Sequence, residues 1–324
     1  MRLKIKVLSP LHIGSGEEIS PLEYIFHDGK FIRLDMESLF NDTNFQPHMD
    51  KFIRSAKYQR YIKELLPLNL LLKYPLYTLD VSSSENTNNP RVVKEFIKSL
   101  GRVYIPGSSL KGSILSGVIY KIALQKNIKN LRDYESLISQ VLEEVSTKKN
   151  LKKFSPWLVV EDSNLLPPEE SLQISPVRVT RHSGEQSGFF ILYETVKKGI
   201  EFTTSIRTSL NSVLSFGKYS EKEILQMADE FYRRVYEKER KSRVNPSLPS
   251  LPARGYLLRL GQGSTCLSTS LLLTAEALGI KGYKIYRPRI RGRELSPISL
   301  GGEPSTRKLV GSQYSMGWVE VVEG

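Results

Sequence analysis

The 324-residue chain contains one cysteine, Cys266, so an internal disulfide and a cysteine-built zinc site are excluded and a reducing, cytoplasmic setting is expected. Its four histidines, His12, His27, His48 and His182, show no metal-ligand spacing. Neither HExxH nor a carboxylate-rich metal motif occurs, so no metal site and no cofactor are expected. No apolar run approaches the ~18 residues that span a bilayer. The longest candidate, LLPLNLLLKYPL at residues 65–76, is interrupted by two prolines and a lysine. The opening MRLKIKVLSP alternates polar and apolar residues as a strand does and does not read as a signal peptide.

What the chain does have is positive charge. Lys and Arg outnumber Asp and Glu by 47 to 34, for a formal charge of +13 and a pI near 9.6. A pI above ~9 is the electrostatic footprint of a nucleic-acid binder, although a soluble protein with a basic surface fits it too. A hydrophobic fraction of 40%, with 16 tyrosines and 12 phenylalanines, points to a folded chain long enough for two domains.

Periodicity places strands at residues 3–7, 24–26, 31–33, 103–105, 157–160, 177–180, 189–193, 200–205, 256–259 and 318–322. Asp28-Gly29 is a two-residue hairpin turn. Helices are expected within 36–75 and over 110–122, 131–146, 221–241 and 268–278. Ser108 or Ser109 is the expected N-cap of the second of these. The proline-rich seam LLPPEE at 165–170 divides the chain into residues 1–165 and 166–324. The repeated alternation of strands and helices predicts an α+β fold of two units, each an antiparallel sheet with helices on one face.

Three glycine loops sit at strand ends: His12, Gly14, Ser15 and Gly16; Gly107, Ser108, Ser109, Lys111 and Gly112; and Gly261, Gln262 and Gly263, preceded by Arg259. The second, YIPGSSLKGS, lies before a helix N-terminus, where free amides and the helix dipole favour an anion. It matches neither the Walker order nor the dinucleotide fingerprint, which argues against a free nucleotide. Each loop alone also fits a structural turn, because glycine is the default residue for tight turns. Three together suit a chain of phosphates. Basic clusters add charge: Arg178 with Arg181, Arg307 with Lys308, and Arg287, Arg289, Arg291 and Arg293 among tyrosines. Guanidinium forks bind phosphates and stack on bases. No catalytic constellation is convincing. The one alternative is metal-independent cleavage of RNA with His12 as general base.

Taken in order, these segments resemble the repeat-associated mysterious proteins (RAMPs) of CRISPR ribonucleoproteins. SPLHIGSGEEI at 9–19 looks like their opening signature, and YIPGSSLKGSILSGV at 104–118 is the most specific piece. ETVKKGIEF at 194–202, RLGQGSTCLSTSL at 259–271, PSTRKLV and GWVEV complete the order. Within the family the arrangement looks most like the fifth subunit of type III-A effector complexes. The resemblance implies two ferredoxin-like, RRM-type domains with helical and loop insertions. It also implies a noncatalytic subunit that binds crRNA and neighbouring RAMP subunits. Such a subunit caps the backbone filament at the crRNA 3′ end and assists 3′-end maturation, with host nucleases as partners, in antiviral defence. Gln262 and Thr265 stand where other members often carry basic residues.

Overall fold

The RLKIKV alternation is realised as its period dictates: Leu3, Ile5 and Val7 are buried, whereas Arg2, Lys4 and Lys6 face water. The computed structural model describes residues 1–58, 60–82, 91–142, 144–146, 152–181, 183–208, 218–264, 266–269, 271–285, 298–299 and 306–324. Along the chain the principal strands are β1 (Arg2–Val7), β2 (Gly14–Ile19), β3 (Tyr24–His27), β4 (Lys30–Leu34), β5 (Pro75–Val81), β6 (Val93–Phe96), β7 (Leu158–Val160), β8 (Leu172–Arg181), β9 (Gln186–Val196), β10 (Glu201–Thr208), β11 (Tyr256–Arg259), β12 (Thr306–Val310) and β13 (Trp318–Glu323). The principal helices are α1 (Gly107–Gln125), α2 (Leu131–Val141) and α3 (Glu221–Arg240).

The fold is mixed α and β, built on two large sheets. The first is antiparallel, in the order β7–β10–β1–β13–β11. Helices α1 and α3 join Leu3, Ile5 and Val7 in one apolar core. Their close approach depends on Gly117, where a Cβ would lie 2.3 Å from the Cα of Ala228. The second sheet runs β2–β6–β9–β8–β5–β4–β3, with β12 added to β8. Both sheets combine strands from before and after residue 165.

The Asp28-Gly29 turn forms as its sequence predicts, with φ of 47° and 72°. Helix α3 begins on a capping box in which Ser220 and Glu223 satisfy each other's amides. Elsewhere local expectations shift. Residues 36–75 form short helices, Met36–Asn41, Met49–Ala56 and Leu68–Leu71, around a separate apolar cluster that includes Ile25, Leu39 and Phe45. Pro47 and Pro67 stand at helix starts there, because proline is tolerated in a first turn and not further in. The helix expected over 131–146 ends at Val141, and Glu144–Ser146 pairs as a strand with Lys152–Phe154. The helix expected over 268–278 is two pieces, Cys266–Thr269 and Leu272–Leu278, with Leu271 between them at a left-handed φ of 59°. No helix among the described residues is long and apolar enough to cross a membrane.

Candidate nucleic-acid interface

Two of the three glycine loops meet. As the chain leaves β1, Gly317 N donates to the Pro10 carbonyl at 2.9 Å, and Gln262 N donates to the His12 carbonyl at 2.7 Å. The crossing is too tight for side chains. At Gly261, with φ +66°, a Cβ would lie 2.2 Å from the His12 carbonyl oxygen. At Gly317, with φ +84°, it would lie 2.2 Å from the Leu260 carbonyl oxygen. These glycines permit backbone to touch backbone; they do not open a cradle. Gly263 likewise faces Met316.

His12 points inward from this crossing. It is 3% exposed, edge-on to Tyr193 and Phe96, and its Nδ1 donates to the Glu194 carbonyl at 2.7 Å. Burial lowers its pKa to about 4, outweighing that hydrogen bond, and Lys308, Lys98 and Lys94 push the same way. The ring is therefore neutral near pH 7, the form a base needs, but its burial shuts it away from a substrate, and that speaks against its use as general base and against direct RNA contact. The Glu194 side chain is fully buried. It accepts from Tyr77 Oη at 2.6 Å, Phe96 N at 2.9 Å and Lys98 Nζ at 2.6 Å, so both carboxylate oxygens are hydrogen-bonded.

Arg259 is also a correction to the sequence reading. It lies inside the protein at 3% exposure, pairs with the buried Glu239, and donates to the carbonyls of Met316 and Gly263 and to Ser315 Oγ. Its guanidinium lies 4.7 Å from the Trp318 ring centre. It shapes the Gly261–Gly263 turn and is not free to meet a phosphate. Arg307 is buried as well, opposite Thr180 in the pairing of β12 with β8.

The third loop lies where α1 starts beside β7. Pro106, not Ser108 or Ser109, occupies the N-cap, and neither serine caps the helix. Instead Asp162 Oδ1 accepts the Gly107 amide at 2.7 Å, and a Cβ on Gly107 would lie 2.3 Å from the Val160 carbonyl oxygen. The carboxylate already answers the helix dipole and opposes a second anion at the same amide. Lys111 Nζ donates to the Ser155 carbonyl at 2.8 Å, and burial lowers its pKa. The most family-like motif is thus a structural corner. Beside it a groove of about 450 Å³ is lined by Ser108, Lys111, Gly112, Leu115, Ser116 and Ile119, among others. A second, of about 420 Å³, has charges of both signs from Arg2, Lys4, Glu161 and Asp162.

The exposed residues of the expected interface are Gly14, Ser15, Gly16, Ser108, Gly112, Arg181 and Gly261, the last of them taken up in the backbone crossing. Arg178 is half-buried beside Phe190, and Arg91 stacks on the same ring. Arg91 and the Phe189-Phe190 pair were not singled out from sequence, although two adjacent aromatics after Gly188 in a polar stretch were a legible signal. Arg287, Arg289, Arg291 and Arg293 lie outside the described residues. Among the described residues no three His, Cys, Asp or Glu side chains converge as metal ligands.

Known proteins share this fold. A protein named CRISPR system Cms protein Csm5 from Methanocaldococcus jannaschii is 29% identical over 182 residues, covering 50% of this chain and 42% of its own length. The Streptococcus thermophilus protein of that name is 30% identical over 128 residues, covering 35% of this chain and 36% of its own. These matches thus span less than half of either relative. A chain in a cryo-EM structure of a Csm-crRNA-target RNA ternary complex superposes with a TM-score of 0.74 at 24% identity, over 99% of this chain and 100% of that one. The crystal structure of T. onnurineus Csm5 gives 0.67 at 23% identity, over 98% and 99%. At those identities the superpositions establish the shared fold. The RAMP superfamily model matches residues 4–262, which takes in most of β1, two glycine loops and the one at Gly261 as far as Gln262, and both core helices, and the chain belongs to that superfamily.

Proposed function

We propose that this protein is a noncatalytic crRNA-binding subunit of a type III-A CRISPR effector complex. In this reading it caps the backbone filament at the crRNA 3′ end and assists 3′-end maturation in the cytoplasm. Its partners are crRNA, the neighbouring RAMP subunits and recruited host nucleases. The observation that carries the reading is RAMP membership across residues 4–262 together with relatives named Csm5. The +13 charge supports RNA as ligand, and burial of the neutral His12 disfavours the endoribonuclease alternative.

The first sheet supports a ferredoxin-like, RRM-type unit. β1, α1, β7, β10, α3 and β13 run in βαββαβ order, their strands lie as β7–β10–β1–β13, and β11 is an added edge. The second sheet serves as the second unit. On this reading each unit is assembled from both halves of the chain, not divided at residue 165.

The test is crRNA affinity, by fluorescence anisotropy, across a salt series. Backbone contact predicts a log–log slope of several units and tolerance of sequence. A flat slope, or failure of the chain to enter the effector complex with crRNA, sinks the reading. Cleavage of repeat RNA in EDTA by the purified chain, abolished in His12→Ala, would restore the nuclease.

A further inference from the structure

The pairing of β8 with β9 slips at one point. Arg178 faces Phe190, but the next registered pair is Thr180 with Gln186, so residues 187–189 stand against Val179 alone. A bulge of this kind re-aims side chains that a regular ladder would hold in the sheet. It is stapled in place. Ser187 Oγ accepts from Val179 N at 3.2 Å and donates to the Phe189 carbonyl at 2.6 Å, while Arg178 Nη1 donates to the Ser187 carbonyl at 3.0 Å. The outcome is a phenylalanine ring left 56% exposed.

We propose that Phe189 is a stacking platform for an unpaired RNA base, held in position by the bulge that Ser187 and Arg178 pin. The inference rests on the reading that this chain binds RNA. Phe190, next along the strand, lies 4.7 Å from the Arg91 guanidinium and 5.4 Å from that of Arg178, measured to the ring centre. Arg181 stands exposed on the adjoining strand, paired with the equally exposed Glu185 at 3.3 Å. Arg91 and Arg178 sit on the neighbouring ring and not on Phe189, whose own exposed face is the equipment for a base, since every base has a π-face. A protein-docking patch calls for contiguous apolar surface, whereas Gln186, Ser187 and Gly188 beside the ring are polar or small. Gly188 also leaves room for approach: a Cβ built there meets nothing within 4 Å.

The experiment uses the full chain and single-stranded RNA carrying one 2-aminopurine at successive positions. Fluorescence reports stacking of that base, and anisotropy reports overall binding. The expected result is quenching at a defined position, lost in Phe189→Ala and Phe189→Leu and kept in Phe189→Trp. Affinity should fall between about 5- and 150-fold in the first two. Because the ring is exposed, thermal denaturation should match the wild type. RNA binding with no position quenched, or with Phe189→Ala indistinguishable from wild type, overturns the inference and leaves the RNA reading standing. No RNA binding at any salt overturns both. Loss of neighbouring subunits from the complex in Phe189→Ala, with RNA binding intact, assigns the ring to a protein contact and overturns the inference.

Discussion

Arg259 and Glu239 pair inside the protein, each with its side chain 1% exposed, and tie the end of α3 to the glycine turn after β11 and to the approach to β13. Removing one partner strands the other as a buried charge. Arg259→Ala should therefore cost about 3–5 kcal/mol, read as a lower urea midpoint, while Arg259→Met with Glu239→Leu should recover most of it. RNA affinity per folded molecule should not change in the double variant. A full loss of affinity with stability intact would return Arg259 to the interface.

The α1 corner should behave as a joint. Asp162→Ala removes the acceptor of the Gly107 amide and should lower stability by about 1 kcal/mol. Lys111→Ala should cost about as much through its lost bond to Ser155. Neither should alter the salt slope of RNA binding, whereas loss of a true phosphate contact would reduce it by about 1. Thermal melts and a salt titration of both variants decide the matter.

His12 should make stability depend on acid. Its folded pKa of about 4 lies below the usual 6.5, so the unfolded chain binds the proton that the folded one refuses. Stability is full above pH 6.5 and falls as pH drops toward 4, by about 3 kcal/mol from this group. His12→Asn keeps a donor for the Glu194 carbonyl and does not titrate, so urea melts between pH 7 and pH 4.5 should lose that part of the slope.

The glycines should separate by role. Gly261→Ala forces a Cβ against the His12 carbonyl at positive φ and should cost about 2 kcal/mol or more. Gly112→Ala sits in α1 with nothing within 4 Å and should be neutral or stabilising by up to about 1 kcal/mol. Chemical denaturation of the two variants side by side is sufficient.

Much of the fold was legible because short-range periodicity encodes it: β1, β11, α3 and the Asp28-Gly29 turn lie within a residue or two of expectation. The site was legible only as a set of residue types. Arg259, Arg307 and Lys111 read as surface cations because arginine and lysine are usually exposed, yet Arg259 and Lys111 are drawn inward by partners distant in sequence and Arg307 is buried where β12 pairs with β8. The bulge at 187–189 was hidden because register belongs to a pair of strands and not to either one.

By itself the sequence determined a basic chain without an internal disulfide, of mixed α and β structure with the ordered RAMP motifs, since composition, period and motif order are properties of neighbours along the chain. Only the tertiary structure decided what each motif does. Two glycine loops became a backbone crossing, the helix corner acquired Asp162 as its anion, and Phe189 was left in solvent. The reason is physical: whether a donor or a charge is available to a ligand depends on what else lies within hydrogen-bond reach, and those partners come from segments that meet only when the sheets form.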